Sequence, residues 1–333
     1  MKQLTDQFGR VHEYLRFSLI DKCNLNCFYC NPKKSQNSSL RKGEILSFDE
    51  IIRLIKIFVK DYGIKKIRFT GGEPLVRNNI IELFERLNEF KKEHPFQLAL
   101  TSNGIRLREF LPDLKKNGLD KINISLDTLN KDKFKKISGY DYYDEVIKAI
   151  DFAADSGFNP VKVNTVMMKG VNDHELLDFV GFAKDRDMNI RFIEYMPFGD
   201  NKWNKDDLFS YQDMKKIVES KFDIKYLEHN NNVAKDYEIV GHKGTVSFIS
   251  SISEHFCSTC NRLRISTDGK MKLCLFTNGE PALEFKKSLR NLKLTDNDIS
   301  AMIGKAVLNK DEKHPSVEDI LSYENNKMVQ LGG

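Results

Sequence analysis

Apolar positions in the first two thirds of the chain fall into short runs separated by stretches of helical period. The runs 14–20 (YLRFSLI), 65–70 (KKIRFT), 97–102 (QLALTS), 121–127 (KINISLD), 161–168 (VKVNTVMM) and 189–196 (NIRFIEYM) predict strands. Between the first two, 48–62 carries IIRLIKIF behind Ser47 and Glu50, a capping box that predicts a helix start. The stretch 143–156 puts Val146, Ile147, Ile150 and Ala153 on one face and stops at Gly157. Strand and helix alternate through six units, which predicts a parallel sheet with right-handed crossovers.

The unusual residues sit where those strands end. CNLNCFYC (23–30) follows the first strand, TGGEP (70–74) the second and SNG (102–104) the third, while SLD (125–127) closes the fourth. Parallel barrels build their active sites at the carboxyl ends of strands. The fold class expected is therefore α/β, an incomplete (β/α)6 parallel barrel open on one side. Beyond residue 200 the alternation lapses: 199–207 reads as a loop, and short strands are expected at 236–240, 245–250, 262–267 and 271–276. These predict a smaller C-terminal α+β region, with a division near residue 225 into 1–225 and 226–333.

Alternation within the strands carries a second message. Strand one sets Leu15, Phe17 and Leu19 against Arg16 and Ser18, and strand two sets Ile67 and Phe69 against Lys66, Arg68 and Thr70. Strand five adds Lys162 and strand six Arg191. Helices cover the outside of a parallel barrel, so the polar faces point inward, where several cations need an anion to meet them. Arginine matches a triphosphate through bidentate bonds. The competing reading, cations at an open edge or paired with Glu194 or Asp127, explains single residues better than the whole set.

Composition adds limits. The 333 residues carry 53 basic and 48 acidic side chains, a net +5 that suits an anionic small molecule and argues for neither nucleic acid nor membrane. No apolar run approaches the roughly 18 residues of a membrane span. MKQLTDQFGRVHEY lacks the apolar core of a secretory signal, so the cytoplasm is the expected compartment.

The six cysteines form two groups of three: Cys23, Cys27 and Cys30, then Cys257, Cys260 and Cys274. Clustered thiols in a long chain without a signal point to metal or redox chemistry rather than disulfides. A structural zinc ion wants four protein ligands, and only His255 stands beside the second group. A four-iron cluster on three cysteines instead leaves one iron open to a substrate or cofactor.

CxxxCxxC with Tyr29 before its last cysteine resembles the radical S-adenosylmethionine (SAM) enzymes, in which the open iron chelates SAM. TGGEP is similar to that family's site for the methionine amino group, with Gly72 giving close backbone approach and Glu73 beside it. No P-loop or dinucleotide-binding glycine pattern competes. The resemblance also implies SAM contacts at Asn103, Ser125 and Met196. FCSTCNRLRISTDGKMKLCLF (256–276) and the LGG ending narrow the resemblance to the GTP 3′,8-cyclases of molybdenum cofactor biosynthesis, over essentially the whole chain.

That resemblance implies two [4Fe-4S] clusters, with SAM on the first and the guanine of GTP on the second. It places Arg16, Lys66, Arg68, Thr101, Lys162, Arg191, Arg262 and Arg264 at GTP-binding positions. Arg262, Arg264 and the Gly332–Gly333 tail carry catalytic roles. The implied reaction takes hydrogen from C3′ of GTP and closes C3′ onto C8, giving (8S)-3′,8-cyclo-7,8-dihydroguanosine 5′-triphosphate. An external electron donor and product transfer to the next pathway enzyme, cyclic pyranopterin monophosphate synthase, are implied too; a homodimer is left open. The alternatives are a radical SAM peptide maturase with an auxiliary cluster, and a non-enzymatic zinc or iron–sulfur protein.

Overall fold

The structure, a computed structural model, describes residues 2–31, 40–41, 43–198, 201–228, 233–277, 281–323 and 328–331. Six parallel strands form its centre: β1 Tyr14–Ser18, β2 Lys66–Thr70, β3 Gln97–Ser102, β4 Lys121–Ser125, β5 Val161–Met167 and β6 Met188–Glu194. The first five crossovers carry α1 Phe48–Tyr62, α2 Ile80–Glu93, α3 Leu107–Lys116, the pair α4 Lys131–Ser138 and α5 Tyr143–Asp155, and α6 Leu176–Phe182. Helix α1 begins at the expected capping box, where Ser47 accepts from the Glu50 amide and Glu50 accepts in return. It stops at Gly63, whose φ of 65° is the left-handed cap that glycine adopts without penalty.

Period-two alternation divides the strands as their sequences suggest. Leu15, Phe17, Ile67, Phe69, Leu98 and Leu100 are buried and share one core with Ile51, Leu54, Ile55 and Phe58 of α1. Burying a side chain of this size stabilises by about 1.5–3 kcal/mol relative to exposure. The opposite face, carrying Arg16, Arg68 and Arg191, is left for the barrel interior.

The sheet runs further than expected. After α7 Tyr211–Glu219 come β7 Ile224–Leu227, β8 Lys235–Ile239 and β9 Thr245–Ile249, then β10 Arg262–Ile265, β11 Lys270–Lys272 and β12 Leu283–Glu284. Strand β9 joins β6 in parallel and β10 joins β1 in parallel, so one sheet has the order β12-β11-β10-β1-β2-β3-β4-β5-β6-β9-β8-β7. The short C-terminal strands lie close to their expected positions, yet they extend the barrel sheet at both edges. Both pairings join segments distant in sequence, which no local periodicity reveals. A division near residue 225 therefore falls within a continuous sheet. Helices α8 Phe285–Arg290, α9 Asp296–Leu308, α10 Val317–Ser322 and α11 Met328–Leu331 complete the described chain.

Candidate active site

Cys23, Cys27 and Cys30 lie in the loop after β1. The Cys27 carbonyl accepts from the amides of Cys30 (3.0 Å) and Asn31 (2.9 Å), and the amides of Asn26 and Phe28 pin the loop to the end of α4 at Ser138 and Ile137. The loop after β2 lies directly on it: the Gly72 amide donates to Ile20 (2.6 Å) and the Glu73 amide to Lys22 (2.8 Å). A Cβ on Gly72 would stand 2.4 Å from the Lys22 carbonyl oxygen, so only glycine fits. The close approach at Gly72 is thus to the chain's own cysteine loop.

Glu73 is 1 % exposed and braces three segments. Its carboxylate accepts from Ser102 Oγ (2.9 Å) and from the amides of Leu75 (3.1 Å) and Asn103 (2.7 Å). Burial nevertheless pushes this carboxyl up to about 7. Asn103 Nδ2 donates to Asn24 (2.7 Å) and reaches to 3.8 Å from Cys23 Sγ. Tyr29 donates its hydroxyl to Asp127 (2.6 Å), which burial lifts to about 6. Burial also raises the thiols, Cys23 to about 11 and Cys30 to about 12. Thiolates here therefore need a strong positive partner such as iron. A first cavity is lined by all three cysteines together with Tyr29, Gly72, Glu73, Thr101, Asn103, Ser125 and Met196.

The second cavity adjoins the first, for Asn164, Ile193 and Met196 line both. Cys257 opens a 3-10 turn just before β10 and Cys260 caps it, and Cys274 follows β11; all three line this cavity. Strand register fills its wall with cations. Arg16 pairs Arg264 on one side and Arg68 on the other, and Tyr14 stands between Arg262 and Lys66. Arg16, Arg68, Arg191, Arg262 and Arg264 line the cavity, and no Asp or Glu does so among the described residues. Lys66 and Lys162 stand outside this lining but within the same field. Thr101 faces the first cavity and accepts from Arg68 (3.2 Å).

Burial and neighbouring like charge lower Arg16, Arg191, Arg264, Lys66 and Lys162. Burial drives Arg16 well below its ordinary value, and Arg264 adds to the effect. Burial, followed by neighbouring cations, brings Arg191 and Arg264 to about 10 and Lys66 and Lys162 to about 8. Asp236 opposes the shift at Lys162 and Arg191. Nε of Arg191 and of Arg262 is buried without a hydrogen-bond partner. This wall fits a polyanion.

Two family profiles together match most of the chain: Radical SAM superfamily over residues 17–183 and Molybdenum Cofactor Synthesis C over 188–316. The mitochondrial GTP 3′,8-cyclase of Arabidopsis thaliana is 45% identical over 99% of this chain and 83% of its own length. The GTP 3′,8-cyclase of Thermodesulfovibrio yellowstonii is 42% identical over 86% of this chain and 88% of its own. The chain belongs to the GTP 3′,8-cyclase family of radical SAM proteins. It spans about half of some family relatives, 52% of molybdenum cofactor biosynthesis protein 1 from Dictyostelium discoideum at 45% identity. Streptococcus suis SuiB bound to S-adenosylmethionine shares the fold, with a TM-score of 0.64 at 14% identity over 95% of this chain and 76% of that one.

Against the family expectation, the structure gathers the six cysteines, the SAM-site residues and the arginines around two adjoining cavities. Gly332 and Gly333 lie outside the described residues. Sequence reasoning missed Tyr14, which accepts from Arg68 Nε (2.7 Å) and shares the parity of Arg16, a signal that was available. It also missed Phe276, the last residue of the 256–276 motif, and His314, from a segment without a motif; both line the second cavity.

Proposed function

We propose that both cavities serve one reaction: the cyclisation of GTP to (8S)-3′,8-cyclo-7,8-dihydroguanosine 5′-triphosphate, the first step of molybdenum cofactor biosynthesis. Cys23, Cys27 and Cys30 would hold one [4Fe-4S] cluster, and Cys257, Cys260 and Cys274 a second; their buried thiols suit the softness and charge of iron–sulfur centres. When bound, the first cluster with SAM supplies the radical chemistry that starts the reaction. The chain's own residues do the rest.

Tyr29, Gly72, Glu73, Asn103, Ser125 and Met196 surround SAM. Arg16, Lys66, Arg68, Lys162, Arg191, Arg262 and Arg264 hold the triphosphate and orient the nucleotide, with Thr101 behind Arg68. The shared wall at Asn164, Ile193 and Met196 brings the ribose toward SAM and keeps water out. Met328 lines the first cavity and Leu331 is buried, which supports a role there for Gly332 and Gly333. An external electron donor and transfer of product to cyclic pyranopterin monophosphate synthase complete the proposal, in the cytoplasm. The observation that carries the reading is a cation-lined cavity sharing a wall with the GGEP cavity.

The test is anaerobic reconstitution with iron and sulfide, then incubation with GTP, SAM and a strong reductant. Cyclised nucleotide is expected in step with deoxyadenosine. Deoxyadenosine formed with a peptide and never with GTP would overturn the reading. So would tightly bound zinc with no iron uptake.

A further inference from the structure

Behind the second set of cysteines lies a side chain that no motif singles out. Lys310 follows α9 and is 3 % exposed. Its ammonium donates to the carbonyls of Arg262 (2.9 Å) and Leu273 and stands 3.9 Å from Cys260 Sγ. Those carbonyls lie two residues after Cys260 and one before Cys274. One ammonium thus ties the chain beside two of the three cysteines.

A buried ammonium is strongly unfavourable unless negative charge meets it. Among the described residues no carboxylate forms an ion pair with Lys310. Asp6, the acid that acts on it through space, is bonded to Arg10 Nε (2.6 Å) and His12 Nε2 (3.0 Å). The anionic groups left to it are sulfurs, Cys260 in contact and Cys274 nearby. Arg10 secures the arrangement. Its guanidinium donates to the carbonyls of Cys257 (2.8 Å), Asp311 (2.6 Å) and Glu312 (2.8 Å), clamping the third cysteine and the turn after Lys310 together.

The geometry points to Lys310 as a positioning residue for the centre held by Cys257, Cys260 and Cys274, one that spaces two cysteines and raises the centre's reduction potential. The inference rests on the reading that these cysteines hold an iron–sulfur cluster. Potentials of such clusters follow net charge and hydrogen bonds to sulfur. A fixed cation beside a ligating sulfur stabilises the reduced, more negative state.

The test uses the full chain with Cys23, Cys27 and Cys30 replaced by alanine, reconstituted anaerobically, so that only the second centre is read. Iron content and an EPR-monitored redox titration compare this parent with Lys310→Met, Lys310→Gln and Lys310→Arg added. The parent is expected to bind about four iron atoms. The neutral variants should shift the oxidised-to-reduced ratio at fixed potential at least tenfold toward oxidised, about 59 mV for one electron. Lys310→Arg should restore most of that shift. Full loading with an unmoved midpoint in Lys310→Met and Lys310→Gln overturns the inference. Loss of iron in all three variants, arginine included, also overturns it. A parent that itself binds no iron overturns the cluster reading first, and the absent signal in the parent tells the two failures apart.

Discussion

Arg16 on β1 and Arg264 on β10 are registered partners across parallel strands, so two guanidinium side chains stand side by side in the barrel. Like charges at such positions repel, and here burial strengthens the repulsion. An anion bound between them relieves it. Inorganic tripolyphosphate is therefore expected to raise the Tm of the protein, and adenosine is not. At a hundredfold excess over Kd the stabilisation is about 2.7 kcal/mol. Thermal unfolding with and without each ligand checks this, and an unmoved Tm in tripolyphosphate would contradict the polyanion site.

Arg191 is a half-buried cation whose Nε is buried without a hydrogen-bond partner. A cation held among other cations, only partly offset by Asp236, costs free energy, so removing it should not destabilise the ligand-free protein. Arg191→Met should leave the ligand-free Tm unchanged or higher. GTP affinity should fall roughly 10- to 100-fold, a loss of about 1.4–2.8 kcal/mol, while SAM binding holds. Calorimetric titration with each ligand separates these effects.

Burial, followed by neighbouring charges, brings Lys66 and Lys162 to about 8. On the proposed assignment GTP meets their charged forms, so its Kd should rise as pH passes from 7.5 to 9. Ligand-free stability moves the other way. Between about 8 and the ordinary 10.5 the unfolded chain holds more protons, so this contribution rises with pH. Lys66→Arg combined with Lys162→Arg should flatten the affinity profile. A Kd independent of pH over this range would count against both lysines.

Burial would push the Tyr14 phenol up, but Arg68, Arg16, Arg262 and Lys66 pull it down to about 6. Above that pH the ligand-free protein holds a phenolate among its cations. A bound triphosphate competes for the same cations and raises the phenol again, so GTP binding should take up a proton near pH 7. Binding heats measured in buffers of different ionisation enthalpy count that proton. Tyr14→Phe should take up close to one proton fewer.

Gly72→Ala places a methyl group against the Lys22 carbonyl, backbone that cannot move aside without shifting the cysteine loop. Overpacking of this kind costs about 1–3 kcal/mol. The variant should lose that stability in urea unfolding and should also cleave SAM poorly, even at saturating SAM. Full cleavage activity would show the loop contact to be dispensable.

Much of this was legible in the residues. Alternation located the six central strands to within a few residues and marked their inward cations, and Ser47 with Glu50 announced α1. Most of what escaped was non-local. Strands β9 and β10 are too short, and too far from β6 and β1, for any local pattern to show their pairing. Tyr14 sits at the very start of its strand, where a phenol resembles an edge aromatic. Lys310, in NKDEK, looks like any solvated lysine; only its burial beside Cys260 sets it apart.

The pairing of β1 with β10 has a consequence for how the protein comes into being. The cation wall is built from strands more than 200 residues apart in sequence, and such contacts form late because a long loop must close first. During synthesis the cysteine loop after β1 emerges more than 200 residues before Arg262 and Arg264. A nascent or truncated chain can thus own the first set of thiols while having nowhere to place a nucleotide. A wall able to meet a polyanion exists only once β10 has joined β1.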